Sequence, residues 1–144
     1  MKIDLLRQLA AQDGVQYAWL RQGMNDFEMA ELLFKASKWD GVCYHAQQAV
    51  EKLFKFVVSD AGSQIRHIHS VHELAKDVNK SLDTDLFDDE LIDLYKELSQ
   101  YNTIARYPSS CDAPVDIITK KQALSALDAF NRSVTIVGRL YAKD

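Results

Sequence analysis

The feature that most restricts this chain is a run of apolar residues spaced alternately four and three apart: Phe87, Leu91, Leu94, Leu98, Tyr101 and Ala105. That spacing puts all six on one stripe of an α-helix and fits no β-strand, whose side chains alternate at every second residue. A helix with a continuous apolar stripe must lay it against partners. The same period recurs along most of the chain. It predicts helices near 15–36, 40–60, 71–79, 85–106 and 119–142, with a turn or two more before Gly14. The first carries Ala18, Trp19, Phe27, Ala30, Leu33 and Phe34. The second carries Val42, Ala46, Ala49, Leu53 and Phe56, and Gly62 is its expected C-cap. Its opposite stripe (His45, Gln48, Lys52, Lys55, Ser59) reads as a solvated face. Ser70 with Glu73, and Thr119 with Gln122, form capping boxes that open the third and fifth helices.

No stretch keeps a two-residue alternation, and there are only five glycines and two prolines. The expected fold is all-α: a single domain, residues 1–144, forming an antiparallel up-and-down bundle of four long helices plus one short helix. Hydrophobic residues make up 47% of the chain, enough for a core. The net charge of −4 gives no global basic field to attract nucleic acid. Charge is nonetheless uneven: seven acids and one lysine lie between Asp83 and Glu97, and four bases and one acid between Thr119 and Tyr141.

Two cysteines, Cys43 and Cys111, make no metal-type pair and suit a reducing, cytoplasmic setting, with Cys43 a small buried hydrophobe. The opening MKIDLLRQLAAQDG carries Asp4 and Arg7 inside its apolar stretch and does not read as a signal peptide. No membrane association is expected. His67, His69 and His72 crowd together in HIHSVH, but no carboxylate or cysteine pattern completes a metal site. No phosphate-binding glycine loop is present, and no cofactor is expected. Glu51 and Lys55 form an i,i+4 ion pair of the kind that adds roughly 0.3–0.5 kcal/mol to a helix.

Three motifs carry a family resemblance. Residues 44–55 read as an aromatic followed by H-A-Q-Q-A-x-E-K-x-x-K; His69-Ser70-Val71 precedes a short helix; and Tyr101 is followed by Arg106-Tyr107-Pro108. In order and spacing these resemble HEPN domains (higher eukaryotes and prokaryotes nucleotide-binding domains). The resemblance implies a helical bundle, usually dimeric. It also implies one of several roles: metal-independent ribonuclease, companion of a small nucleotidyltransferase in a two-component, toxin–antitoxin-like system, or nucleotide-binding module.

HEPN ribonucleases carry R-x(4–6)-H on the fourth predicted helix. Such a pair suits the chemistry, because histidine moves a proton near neutral pH and arginine holds the phosphate. Here Asn102 matches the motif's asparagine, but Tyr101 stands at the arginine position and Arg106 at the histidine position. The motif is not intact in either register. The leading expectation is therefore a non-catalytic HEPN-type binding and regulatory module, a homodimer built on the fourth helix and its flanking loop. Its surplus apolar surface includes an exposed Tyr95. The implied partners are a nucleotidyltransferase protein and a nucleotide or RNA. Two alternatives stay open: a ribonuclease with an altered site, and a scaffold with no ligand. Candidate ligand contacts are Arg106, Asn102, Tyr107, His45, Lys52 and His69. Against this, Arg106 has a simpler role as favourable charge at a helix C-terminus, worth about 0.3–1 kcal/mol.

Overall fold

A computed structural model describes residues 2–142. It contains seven helices: α1 (Lys2–Ala10), α2 (Val15–Lys35), α3 (Trp39–Asp60), α4 (Val71–Leu82), α5 (Asp89–Ile104), α6 (Pro114–Ile117) and α7 (Lys120–Tyr141). Among the described residues none belongs to a β-strand, and no helix is long and apolar enough to cross a membrane. The long helices α2, α3, α5 and α7 are the expected bundle, and α4 is the expected short helix.

The residues before Gly14 form a separate helix. Gly14 has φ 133°, a conformation other residues rarely adopt, and the chain turns there from α1 into α2. Arg21 of α2 closes the turn by donating to the carbonyls of Ala10 (2.6 Å) and Gln12 (3.0 Å). At the far end of α1, Lys2 lies against Gly138 of α7. A Cβ at residue 138 would come 2.7 Å from that of Lys2, so the close approach needs glycine.

Between α2 and α3 the chain turns within three residues. Ser37 takes φ 58°, and Lys38 N–H donates back to Leu33 O at 2.9 Å. Gly62 ends α3 as expected, at φ 82°, with Ser63 N–H bonded to Val58 O. Ser70 caps α4 through the Glu73 N–H, and Thr119 with Gln122 forms the full capping box of α7. α5 starts later than the period predicts because the Asp88 carboxylate accepts from Leu91 N–H at 2.8 Å and so fixes the N-cap there. It ends at Ile104, where Arg106 N–H turns back to Thr103 O. The four-residue α6, opened by Pro114, is too short to show a period.

At the centre is α3, which packs against α2, α4, α5, α6 and α7. Its apolar stripe is buried, but so are residues on the stripe read as solvated: Gln48 and Lys55, together with Gln47 and Glu51, lie out of water. That reading is corrected. A stripe holding lysine and glutamine looks solvated only if no neighbouring element brings partners to it, and here α2, α5 and the 61–70 loop do so.

Tyr95 is also corrected: it is fully buried (0% exposed). Its ring meets Phe54 edge-on at 5.2 Å and Phe87 at 5.5 Å, and its hydroxyl lies 2.6 Å from Ser133 Oγ of α7. The α5 stripe is thus consumed inside the bundle, with Leu91, Leu98, Tyr101 and Ala105 buried beside Tyr95. Ser133 Oγ donates onward to Ala129 O at 2.7 Å, so the tyrosine hydroxyl is the donor to Ser133. Tyr95→Phe keeps the packing and removes one buried hydrogen bond. It is expected to cost about 1 kcal/mol in urea denaturation, whereas Phe54→Ala should cost about 3–5 kcal/mol by leaving a cavity.

Candidate functional site

Two polar clusters flank α3, one on each seam. On the seam with α2, the buried Asp26 receives His45 Nδ1–H at 3.1 Å and the Lys52 ammonium. Residues 45 and 52 lie two helical turns apart on one face of α3, and a single carboxylate from α2 reaches both. Burial alone would raise the Asp26 carboxyl, but the hydrogen bonds from His45 and Lys52 and their charge outweigh it and hold it below the usual carboxylate range. Sequence reasoning missed Asp26. The available signal was a carboxylate on the α2 face that also holds Gly23, Met24, Phe27 and Ala30, which is buried.

On the seam with α5 and the 61–70 loop, Glu51 is 3% exposed and accepts three bonds. They come from Lys55 Nζ at 3.1 Å, Gln47 Nε2 at 3.1 Å and His69 Nδ1 at 3.0 Å. The Glu51–Lys55 pair therefore exists as read but is buried, so losing one partner would leave an uncompensated charge. Lys55 Nζ also faces the Trp19 ring at 5.2 Å. His69 ties the 61–70 loop to α3: its backbone carbonyl takes a bond from Gln47 (2.9 Å) while its ring holds Glu51. Gln47 Oε1 accepts from Gln48 Nε2 at 2.7 Å, and Gln48 Nε2 reaches Asn102 Oδ1 of α5 at 3.3 Å.

The chain of bonds ends at the surface. Arg106 Nε donates to the Asn102 carbonyl at 2.8 Å, so this arginine does cap the last turn of α5. Its guanidinium carbon also lies 4.7 Å from the centre of the Tyr44 ring and 5.1 Å from that of Tyr107. Two aromatic faces thus hold the planar group, and among the described residues no carboxylate pairs with it. Its terminal nitrogens remain the free edge of a fork suited to phosphate.

The predicted contacts therefore fall into two groups. Arg106, Asn102, Tyr107 and His69 belong to one network, with the largely exposed His69 at the end opposite Arg106. His45 and Lys52 belong to the other, joined to the first only by the His45 ring, whose centre lies 5.1 Å from that of Tyr44. His69 and His72 turn to different partners, Glu51 and the Ser70–Ser99 hydroxyls. Among the described residues no group of three or more potential ligands could hold a metal ion. Gln47, Glu51 and Tyr44 were not among the expected contacts, although a Gln-Gln pair inside an apolar helix already asks where its amides find partners.

A cleft of about 370 Å³ lies near the C-terminal end of α3, lined by Val58, Ser63, Gln64, Arg66, Asp77, Lys80 and Ser81. Its arginine is already neutralised: Arg66 is held by Asp77 at 2.8 and 2.9 Å and by Glu73 at 3.5 Å. The Arg106 patch keeps its cation free of carboxylates among the described residues, and for an anion that decides in its favour. Tyr101, at the lost arginine position, is buried beside Cys43, and among the described residues its hydroxyl finds no hydrogen-bond partner. Burial pushes both the Tyr101 hydroxyl and the Cys43 thiol up, the latter to about 12.

The lowered carboxyl of Asp26 links to stability with a definite sign. The unfolded chain takes up a proton near the ordinary value of 3.8, and the folded one only at lower pH. The contribution is complete above that value and is lost as pH falls from it through the lower value of the folded state. Asp26→Asn is expected to lower stability at neutral pH and to flatten the acid limb of the stability–pH curve below pH 4 or so, as read by urea denaturation at a series of pH values.

The family model for the HEPN domain matches residues 16–140. Among solved structures, TT1696 from Thermus thermophilus superimposes with a TM-score of 0.76 at 24% identity, covering 86% of this chain and 96% of that one. ST0689, an archaeal HEPN homologue, gives a TM-score of 0.69 at 21% identity, covering 89% and 99%. These two likenesses speak for the fold. Comparison with curated proteins yields no match. With a family model spanning α2 to α7 and the bundle shared with an archaeal homologue, the chain belongs to the HEPN domain family.

Proposed function

We infer that this HEPN domain is a non-catalytic binding and regulatory module that takes a phosphate of a nucleotide or RNA at Arg106. The observation that carries this reading is the guanidinium held between Tyr44 and Tyr107 with no carboxylate against it among the described residues. An exposed cation with no carboxylate against it among the described residues is suited to an anionic ligand. The two tyrosine faces suit a base or sugar beside the phosphate. No histidine stands on α5 to move a proton in the manner of the family's ribonucleases. The physiological role we propose is that of companion to a separate nucleotidyltransferase in a two-component system, with the anion site as the point of control.

A two-fold dimer belongs to the same proposal. With the α5 stripe buried, its support is the flanking region, where Ile104, Tyr107, Val115 and Ile117 are exposed. Exposed apolar side chains of this kind, where they form one patch, mark interaction sites. A second reading, an altered ribonuclease, has one observation in its favour: His45, oriented by Asp26, lies against the same Tyr44 ring that supports Arg106. RNA cleavage by the wild type that disappears in His45→Ala would replace the binding reading with this one.

The binding test uses calorimetry with nucleoside mono- and triphosphates and a short RNA. Arg106→Ala is expected to cost about 1 kcal/mol or less in stability, yet to weaken binding by roughly 1.5–3 kcal/mol. Arg106→Lys should recover only part of that, because an ammonium lacks the two-pronged fork, and Asn102→Ala should weaken binding less. If the wild type binds none of these ligands, or Arg106→Ala binds equally well while melting earlier, Arg106 is a helix cap and the module binds protein alone.

A further inference from the structure

The bonds running from Glu51 to Arg106 have a direction, and that direction reaches the surface. A carboxylate only accepts, so Gln47 must turn its NH₂ toward Glu51 Oε1, and the same NH₂ also serves His69 O. Both hydrogens of that amide are then used, and Gln47 can offer Gln48 only its oxygen. Gln48 must therefore point its own NH₂ at Gln47 Oε1, and that nitrogen also serves Asn102. Asn102 must in turn present Oδ1 inward. Its NH₂ consequently faces outward, where among the described residues nothing accepts from it and it is not buried. Its backbone carbonyl already accepts from Arg106 Nε.

We propose that Glu51, acting through Gln47 and Gln48, sets the polarity of the Asn102–Arg106 edge so that it offers only N–H donors and selects acceptor-only phosphoryl oxygens. Glu51, Gln47 and Gln48 are positioning residues here; none reaches the ligand. The inference rests on the reading of Arg106 as a phosphate site and adds to it a cause for selectivity lying inside the bundle. An edge made only of donors rejects ammonium groups and hydroxyl hydrogens, because two donors facing each other leave both unpaired.

The sign of one substitution separates this from ordinary electrostatics. Glu51→Gln removes a negative charge from the neighbourhood, and Coulomb's law alone would tighten anion binding. In the relay the outcome reverses. The Lys55 ammonium claims the new amide's oxygen, the NH₂ is left facing Gln47, and the amides can turn over until Asn102 shows its carbonyl to solvent. Binding of inorganic pyrophosphate, followed by NMR titration, is expected to weaken about tenfold, the loss of one charge-assisted hydrogen bond. Asn102→Asp keeps an acceptor for Gln48 and replaces the outward NH₂ with an acceptor, so it should weaken binding at least as much. Unchanged or tighter binding in Glu51→Gln overturns the proposal.

If Glu51→Gln fails to fold, the wild type still decides the question. The Asn102 side-chain NH₂ hydrogens should exchange readily with water, give nuclear Overhauser effects to Arg106, and shift on adding pyrophosphate. Those of Gln47 and Gln48 should be protected and unshifted. Asn102 hydrogens found against Gln48 would overturn the relay even if phosphate binds. A correct orientation with no shift from either pyrophosphate or a short RNA would instead overturn the Arg106 site, and with it the selectivity claimed here. A shift from RNA alone would support a phosphate within a strand, and a shift from both would support a free one.

Discussion

A helix buried on every side has no water to fall back on, and this requirement on α3 organises the molecule. Its sequence places Gln47, Gln48, Glu51 and Lys55 among valines and phenylalanines, and all four are out of solvent. An unpaired amide in that position costs about 1–3 kcal/mol and an unpaired charge more. The surrounding elements therefore have to bring partners. The 61–70 loop brings the His69 ring and carbonyl, α5 brings Asn102, and the helix itself supplies Lys55 for Glu51. On the other seam α2 brings Asp26 to His45 and Lys52. The connection between α3 and α4 is long and without regular structure, yet the network ties it down at His69.

The helices were legible because an amphipathic stripe is a local property. Phe87 to Ala105 announces its period whatever it packs against, and the capping residues Ser70 and Thr119 act within three residues of themselves. The start of α5 was misplaced for a comparable local reason: a carboxylate at Asp88 competes for the first N–H groups, and periodicity does not register it. The site was legible only in part. Arg106, Asn102 and Tyr107 stand on one turn and could be found together. That His69 shares their network depends on two glutamines lying between, which no spacing rule reveals. The buried state of Lys55 and Tyr95 was missed because the faces of α3 and α5 were judged without the elements that later cover them.

The family's ribonuclease pair needs an arginine and a histidine on one helix face. Here the first position has become part of the core. Tyr101 is buried against Cys43 and contributes no free donor at the surface. The second position keeps a cation but loses the ability to exchange a proton near neutral pH, since arginine stays charged throughout that range. The exchange removes from this helix the group that would move a proton and leaves a fixed cation in its place.

The uneven charge of α5 bears on how an anion would arrive. Acids crowd its beginning, where Asp88, Asp89 and Glu90 lie near its N-terminus and Arg132 of α7 balances only some of them, while no acid occurs between Leu98 and Cys111. A helix of this length extends roughly 24 Å at 1.5 Å per residue. Counter-ions at physiological salt damp a field within about 8 Å. The two ends are thus electrically separate neighbourhoods. The axis of α5 sets Asp88, Asp89 and Glu90 about three screening lengths from its far end, while Glu97 on the same helix lies nearer to it.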